Sequence, residues 1–416
     1  MSVALDNASL ERAAEMDAAD PLRRFREQFE IRPGLIYLDG NSLGMMPKRT
    51  VERMQRTVTE QWAQGLITSW LGADWVNSPT RIGDKIARLI GAAPGEVIAG
   101  ESTSINIFKA LTAALSLQNG RNVLLSETTN FPTDNYMMQG LAKFSDGAIE
   151  SREVAPDKVL DALDENIAVL LLTQVHYKTA RIRDMAEVTR AAHDAGALVV
   201  WDLSHSAGAI PVDLNGANAD FAVGCGYKFL NGGPGAPAFL YVAKRHQHAQ
   251  PVLSGWFGHA RPFDFEGDYD AAPGIDRFQC GTPPVLGMAA LEEGVDLILE
   301  ADMGALRAKS IALSELFVEL VADRCGEWGF EFVCPTDSDE RGSQVAFAHP
   351  RAYEMMQALK AREVIGDFRA PDVMRFGLTP LYTSFTDVAE AVERLRTICV
   401  DSEWDRPEYR TRAAVT

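Results

Sequence analysis

With 416 residues and 46% hydrophobic content, the chain can build a sizeable core divided over two or three domains. Its formal charge of −18 argues against nucleic acid, whose phosphates require a basic face, and against an anionic membrane surface. The five cysteines (Cys225, Cys280, Cys325, Cys334, Cys399) have no CxxC spacing, which argues against a zinc site or disulfide framework and fits reduced thiols in a cytosol.

The N-terminal residues carry acids and no apolar stretch, so no signal peptide is expected. The longest apolar runs, Ala168–Leu172 and Ala197–Trp201, are strand length and too short to span a bilayer. A soluble, cytoplasmic protein is expected. Residues 1–30 are polar, with Leu22, Phe25 and Phe29 on one face of a short helix. Strand Ile36–Leu38, the turn-rich loop Asp39–Pro47 and a helical pattern from Val51 to Trp62 follow. Trp70 and Trp75 stand in a loop without periodicity, either as buried filler or facing a ligand. Ser78 and Pro79 read as N-cap and N1 of a helix carrying Ile82, Ile86, Leu89 and Ile90.

Val97–Ala99 then reads as a strand leading to Ser102, Thr103 and Ser104 at the start of a helix. Hydroxyls and free backbone N–H groups there are either ordinary caps or an anion site. Further strands are expected at Asn122–Ser126, Ile167–Thr173, Leu198–Trp201, Phe221–Val223 and Phe239–Val242. Helices are expected from Asn135 and over Met185–Ala195, the latter closed by Gly196. The fully apolar run Ile167–Thr173 is what a parallel sheet buried on both faces requires.

This alternation predicts a doubly wound α/β domain, with functional groups at the carboxyl ends of its strands. Loops Ser254–Phe263 and Phe278–Pro284, a long helical stretch from Pro284 to Asp323 and a smaller α+β unit complete the chain. The expected divisions are an N-terminal arm over 1–60, a large domain over 61–325 and a small domain over 326–416.

Asp202 ends an apolar strand, where a carboxylate is costly unless paired. It is either a cap for the segment that follows or the partner of a protonated ring nitrogen. Lys228 lies 26 residues downstream, in the apolar context FAVGCGYKFLNGGPG. A desolvated lysine there can form a Schiff base and move protons at Cα, while the acid keeps a pyridine ring protonated as an electron sink. That combination points to pyridoxal phosphate (PLP). Tyr227 offers an O–H beside the lysine, His205 follows the acid by one turn, and Phe131 either stacks on a ring or packs in the core. Arg375 is embedded in a strand pattern, where its donors demand partners; a carboxylate ligand or an internal ion pair would supply them.

The segments YLDGNSLG (37–44), TSINIFK (103–109), NFPTD (130–134), WDLSHSAGA (201–209), GCGYKFLNGGPG (224–235), LSGWFGH (253–259), CGTPP (280–284) and MRFGLTPLY (374–382) resemble the signature blocks of kynureninases. These belong to the aminotransferase class V branch of fold type I PLP enzymes. The resemblance implies a large domain with a mainly parallel seven-stranded sheet, a small C-terminal α+β domain and a homodimer with shared active sites. It further implies that Lys228 is the Schiff-base lysine and Asp202 the partner of the pyridine nitrogen. Thr103 and Ser104 would hold the phosphate, and Phe131 would stack on the ring with Asp134 beside it. Thr173, His205 and Tyr227 would complete the cofactor shell, with Trp256 and Thr282 supplied by the other subunit. Arg375 would clamp the substrate carboxylate, with Asn41 nearby.

In the bacterial type, Trp70, Gly281 and Thr282 stand where the animal type has His, Ser and Asn, so L-kynurenine is the implied substrate, with its 3-hydroxylated form second. The implied reaction is hydrolysis of the Cβ–Cγ bond to anthranilate and L-alanine, in tryptophan and kynurenine catabolism and NAD biosynthesis. Alternatives within the superfamily are a cysteine desulfurase or selenocysteine lyase and an aminotransferase. The desulfurases have a histidine before the lysine, where this chain has Tyr227, and an aminotransferase has no use for SGWFGH. A non-catalytic PLP-fold binding protein need not keep Lys228, Asp202 and Arg375 together.

Overall fold

The structure, a computed structural model, describes residues 7–412; the first six residues of the expected N-terminal arm lie outside the described residues. The chain divides into two compact units. The larger comprises Arg49–Tyr177 and Arg183–Leu299; the smaller comprises the residues up to Lys48, Lys178–Ile182 and those from Glu300 onward.

The larger unit is built on a seven-stranded sheet in the order Val97–Ala99, Phe239–Val242, Phe221–Gly224, Leu198–Asp202, Ile167–Thr173, Val123–Glu127, Glu150–Val154. Phe239–Val242 runs antiparallel to both its neighbours and the remaining pairs are parallel, so the sheet is mainly parallel as expected. Every residue of Ile167–Thr173 is buried, which explains why the run is apolar up to Thr173, whose hydroxyl is hydrogen-bonded. The edge strand Glu150–Val154 is absent from the sequence reading. Its ESREV sequence is polar and only partly buried, because an edge has one neighbour and tolerates charge.

Helix Thr103–Ser116 is capped by Ser102, whose side chain accepts from Ile105 N, and Met185–Asp194 by Asp184. Gly196 has φ +82°, the left-handed conformation that a helix-ending glycine supplies. Ile107, Ala110, Leu111 and Ala114 press the first of these helices onto Leu124, Val169 and Val200 of the sheet. Ser78 is the first helical residue instead of the cap, and its hydroxyl donates to Trp75 O at 2.7 Å.

The smaller unit has an antiparallel sheet in the order Asp367–Arg369, Val373–Gly377, Gln344–Ala348, Glu331–Phe332, and a parallel pair of Ile36–Tyr37 with Val364–Ile365. The expected strand 364–368 is therefore two strands, broken at Gly366. A Cβ there would come within 2.8 Å of Phe376 and 2.9 Å of the Arg375 carbonyl, so only glycine fits the crossing. The expected helix 284–323 is also two, Val285–Leu299 and Met303–Cys325, because Asp302 caps the second by accepting from Ala305 N at 2.8 Å. Leu313, Leu316, Phe317 and Leu320 of that second helix pack with Phe347, Phe376, Val388 and Leu395, which places it in the smaller unit's core. The observed break at Leu299/Glu300 thus stands apart from the expected boundary at 325. Among the described residues, no helix is long and apolar enough to cross a membrane.

Candidate active site

The carboxyl ends of the larger unit's strands open into a cavity of about 720 Å³. Strand-end geometry decides its lining: Asp202 and Thr173 terminate their strands, Phe131 and Asp134 follow Val123–Glu127, and Tyr227 and Lys228 follow Phe221–Gly224. Ser102, Thr103 and Ser104 bring the amino end of helix Thr103–Ser116 to the same space, where its unpaired N–H groups favour an anion. His205, Gly281 and Thr282 also line it.

Asp202 is buried; its Oδ1 accepts from Ser204 N at 2.8 Å and from Ser204 Oγ at 2.6 Å. Burial raises its carboxyl above the usual range, against the lowering by Ser204 and Lys228. Asp134 is 1% exposed and is pushed well up by burial and by the neighbouring Asp202. Thr173 Oγ1 hydrogen-bonds Asn130 Oδ1 and lies 3.5 Å from Asp134 Oδ2. The floor of the cavity therefore holds two acids with Lys228 as the cation bearing on both.

Lys228 is buried, with Nζ 3.1 Å from His205 Nε2 and 5.6 Å from the centre of the Phe131 ring. Phe131 in turn meets Tyr177 edge-on at 5.3 Å, which fixes the plane it offers to the cavity. Burial, with Cys225 and Asp202 adding to it, holds the Tyr227 phenol above its ordinary value, so it stays protonated.

Two expected residues lie elsewhere in the larger unit. Trp256 and Trp70 both pack on Phe257, at 4.3 and 5.6 Å between ring centres, in an aromatic cluster separate from that lining. Thr282 lines the cavity of its own chain, whereas the resemblance assigned it to the partner's site.

In the smaller unit, Arg375 and Asp367 face each other across two strands and are each 1% exposed. Arg375 Nε donates to Asp367 Oδ1 at 2.8 Å and Nη2 to Oδ2 at 2.5 Å. The internal ion pair foreseen as an alternative is therefore present. Asn41 is buried beside it, and with its amide oxygen turned inward it accepts from Arg375 Nε at 2.9 Å while its amide nitrogen donates to Asp39 Oδ1 at 3.3 Å. Asp39 completes this group; burial and Asp367 push its carboxyl up to about 7.

A family profile described as Kynureninase C-terminal domain matches residues 306–395. A Burkholderia pseudomallei (strain 1106a) protein named kynureninase is 51% identical over 412 residues, covering 98% of this chain and 99% of that protein. A Pseudomonas fluorescens kynureninase is 47% identical over 407 residues, 96% of this chain and 98% of its own length. The chain belongs to the kynureninase family. The solved apo structure of a cysteine desulfurase from Thermococcus onnurineus NA1 matches with TM-score 0.78 at 17% identity, covering 91% of this chain and 98% of that one. At that identity the likeness speaks for the fold alone, which is that of fold type I PLP-dependent enzymes.

Several side chains around the cavity escape sequence reasoning. Lys109, 1% exposed, lines it and donates to Phe278 O at 2.8 Å and Glu101 Oε1 at 3.3 Å. Its place in an ordinary helical pattern gives no sign of this, since the accepting carbonyl lies 169 residues away. Ser204 was open to detection: a serine two residues after a strand-ending aspartate is a common source of Asx-type hydrogen bonds. Tyr177 and Asn130 act by contact with Phe131 and Thr173, and only the folded chain shows it.

Proposed function

We infer that the protein hydrolyses the Cβ–Cγ bond of L-kynurenine, with one water, to anthranilate and L-alanine, using pyridoxal 5′-phosphate. The observation that carries this is near-full-length identity of 51% to a kynureninase in a chain whose cavity joins a lysine, two buried acids and a helix N-terminus. The donor set fits the cofactor. Two acids raised by burial call for a cationic partner such as a protonated pyridine nitrogen, and the anion-favouring helix end suits the phosphate. When bound, PLP supplies an electron sink for bond breaking at the substrate's Cα and Cβ.

The chain's own residues do the rest. Thr103 and Ser104 hold the phosphate through hydroxyls and backbone N–H groups. Asp202, oriented by Ser204, holds the ring nitrogen's proton, with Asp134 beside it and Thr173 closing the shell. Phe131, set by Tyr177, would offer its face to the ring. Lys228 Nζ carries the proton at Cα, and His205, 3.1 Å away, keeps that amine aimed. Tyr227, kept protonated by its surroundings, donates its proton toward the γ-carbonyl oxygen or Cβ as water adds and the bond breaks. Arg375 takes the substrate α-carboxylate through charge-assisted hydrogen bonds, with Asn41 alongside.

L-kynurenine is the preferred substrate over its 3-hydroxylated form. This preference is supported by the family resemblance at Trp70, Gly281 and Thr282; of these, Gly281 and Thr282 line the cavity. Trp70 faces the aromatic ring of the substrate, and Trp256 and Thr282 serve the site of a second subunit in a homodimer. This is supported by exposed apolar side chains at Trp62, Leu66, Ile67 and Leu71 and at Phe265 in the Trp256 loop. Light scattering of the holoenzyme tests it, and a monomer at assay concentration would refute it. A cytoplasmic location is supported by five free cysteines.

The deciding experiment incubates the protein with PLP and L-kynurenine and measures anthranilate and alanine, expected in equal amounts. Bound PLP without either product would reduce the reading to the superfamily. A Tyr227→Phe enzyme with full turnover would remove the role given to that phenol.

A further inference from the structure

Arg375 does not stand alone in its strand. Asp367, directly opposite, takes the Nε–Nη2 edge of the guanidinium side-on in a bidentate pair. Ser42 stitches the pair together: its Oγ accepts from Arg375 Nη2 at 3.0 Å and donates to Asp367 Oδ2 at 3.1 Å. Arg369 Nη2 reaches the same Asp367 oxygen at 2.6 Å, so one carboxylate serves two guanidinium groups. The backbone is shaped for this arrangement. Gly366 lets the chain cross over Phe376 to deliver Asp367, and an added Cβ at Gly377 would collide with the Asn41 side chain. Gly377 N donates to Leu38 O at 2.7 Å, which holds the loop carrying Asn41 and Ser42 against the arginine strand.

A buried arginine on four flexible bonds would lose several rotamers on binding a ligand. Asp367 removes that cost beforehand by fixing both the plane and the rotation of the guanidinium. One Asp367 carboxylate is shared by Arg375 and Arg369, and Asp39 beside them is raised to about 7, so the two guanidinium charges are only partly offset. We propose that Asp367, with Ser42, is the positioning residue of the substrate-carboxylate clamp, fixing the plane and rotation in which Arg375 presents its guanidinium to a ligand carboxylate. This rests on the reading of Arg375 as that clamp.

The test uses PLP-loaded enzyme carrying Asp367→Asn, Ser42→Ala or Arg375→Met, assayed with L-kynurenine and with its decarboxylated amine analogue. For Asp367→Asn, KM for L-kynurenine should rise about 10- to 100-fold, the span of one charge-assisted hydrogen bond. Its kcat and its retention of PLP should stay within about threefold, and kcat/KM for the analogue, which has no carboxylate to clamp, should match the parent. Asp367→Glu should recover part of the loss. A fall in kcat at unchanged KM, or an equal loss on the analogue, overturns the proposal and leaves the clamp standing. Parent-like KM in Arg375→Met overturns the clamp itself, and the proposal with it. Removing a carboxylate from a buried pair can prevent folding. In that event Ser42→Ala decides: a severalfold rise in KM for L-kynurenine alone supports positioning, and an unchanged KM overturns it.

Discussion

At the amino end of strand Leu198–Asp202, Asp220 accepts from Val199 N at 2.9 Å, Arg245 at 2.7 Å, and pairs with His193 and His246, each at 2.8 Å. At the carboxyl end, Asp202 has the two Ser204 contacts and a buried acid, Asp134, as neighbour. Both acids are buried, and the opposite outcome follows from what surrounds them. Burial alone would raise Asp220, but hydrogen bonds from His193 and His246 hold its carboxyl below the usual range. Burial prevails at Asp202, and its carboxyl is raised. Glu292 repeats the compensated case: against burial, Arg81 and Lys85 bring it down to about 2. An acid answered by the chain's own cations is structural. One left raised at the head of a cavity is kept for something that binds.

Four predictions sharpen or break this contrast. The largest effect is on the lysine of the cavity: Lys228→Ala should lower turnover by at least about 10³-fold, and borohydride reduction of the PLP-loaded protein should no longer mark that peptide. Next come the two ends of the strand. Asp202→Asn should cut kcat/KM by about 10²-fold or more with no loss of thermal stability, since a costly buried carboxylate is removed. Asp220→Asn should do the reverse, costing about 3 kcal/mol in denaturant unfolding while kcat/KM of the folded enzyme is kept. If both substitutions cost activity and stability alike, the contrast fails.

Stability against pH is the third. Asp220 is depressed, so its contribution is present above the unfolded carboxyl value near pH 4 and fades as pH falls through the folded value. The melting gap between parent and Asp220→Asn should therefore close in acid. Asp39 in the smaller unit, raised to about 7, has the opposite sign: folding stability is lost as pH climbs from about 4 to 7. An Asp39→Asn protein should gain on the parent across that window and hold a constant lead above it. The smallest effect is at Ser204→Ala, which should weaken PLP retention by roughly 1 kcal/mol, the worth of its contact with Asp202.

Legibility of the sequence followed burial and locality. Ile167–Thr173 and Phe239–Val242 could be read to the residue, because strands buried on both faces admit only apolar side chains. Glu150–Val154 could not, because an edge strand obeys no such rule. Asp202 and Lys228 stood out as charges placed where charge is costly. Lys109 and Asp367 carry the same kind of burial and did not stand out, since their partners, the Phe278 carbonyl and Arg375, meet them only after folding. Likewise, nothing local separates the helix Met303–Cys325 from the one before it except the cap at Asp302.

The sequence by itself determined the chemistry on hand: a lysine, two acids, a helix start and an arginine, in an order matching one enzyme family. Which acid would be neutralised was decided in space. Asp220 and Asp202 both adjoin apolar strands, Asp220 before its strand and Asp202 at the carboxyl end of its own, and neither position tells how the carboxylate is answered. His193, His246 and Arg245 reach the first, whereas the second is left with a serine and the cavity's lysine. Coulombic attraction and desolvation depend on distance through the folded molecule, so the sequence could point to Asp202 as a site residue, but only tertiary structure could show that Asp220 is answered within the scaffold and Asp202 is left raised.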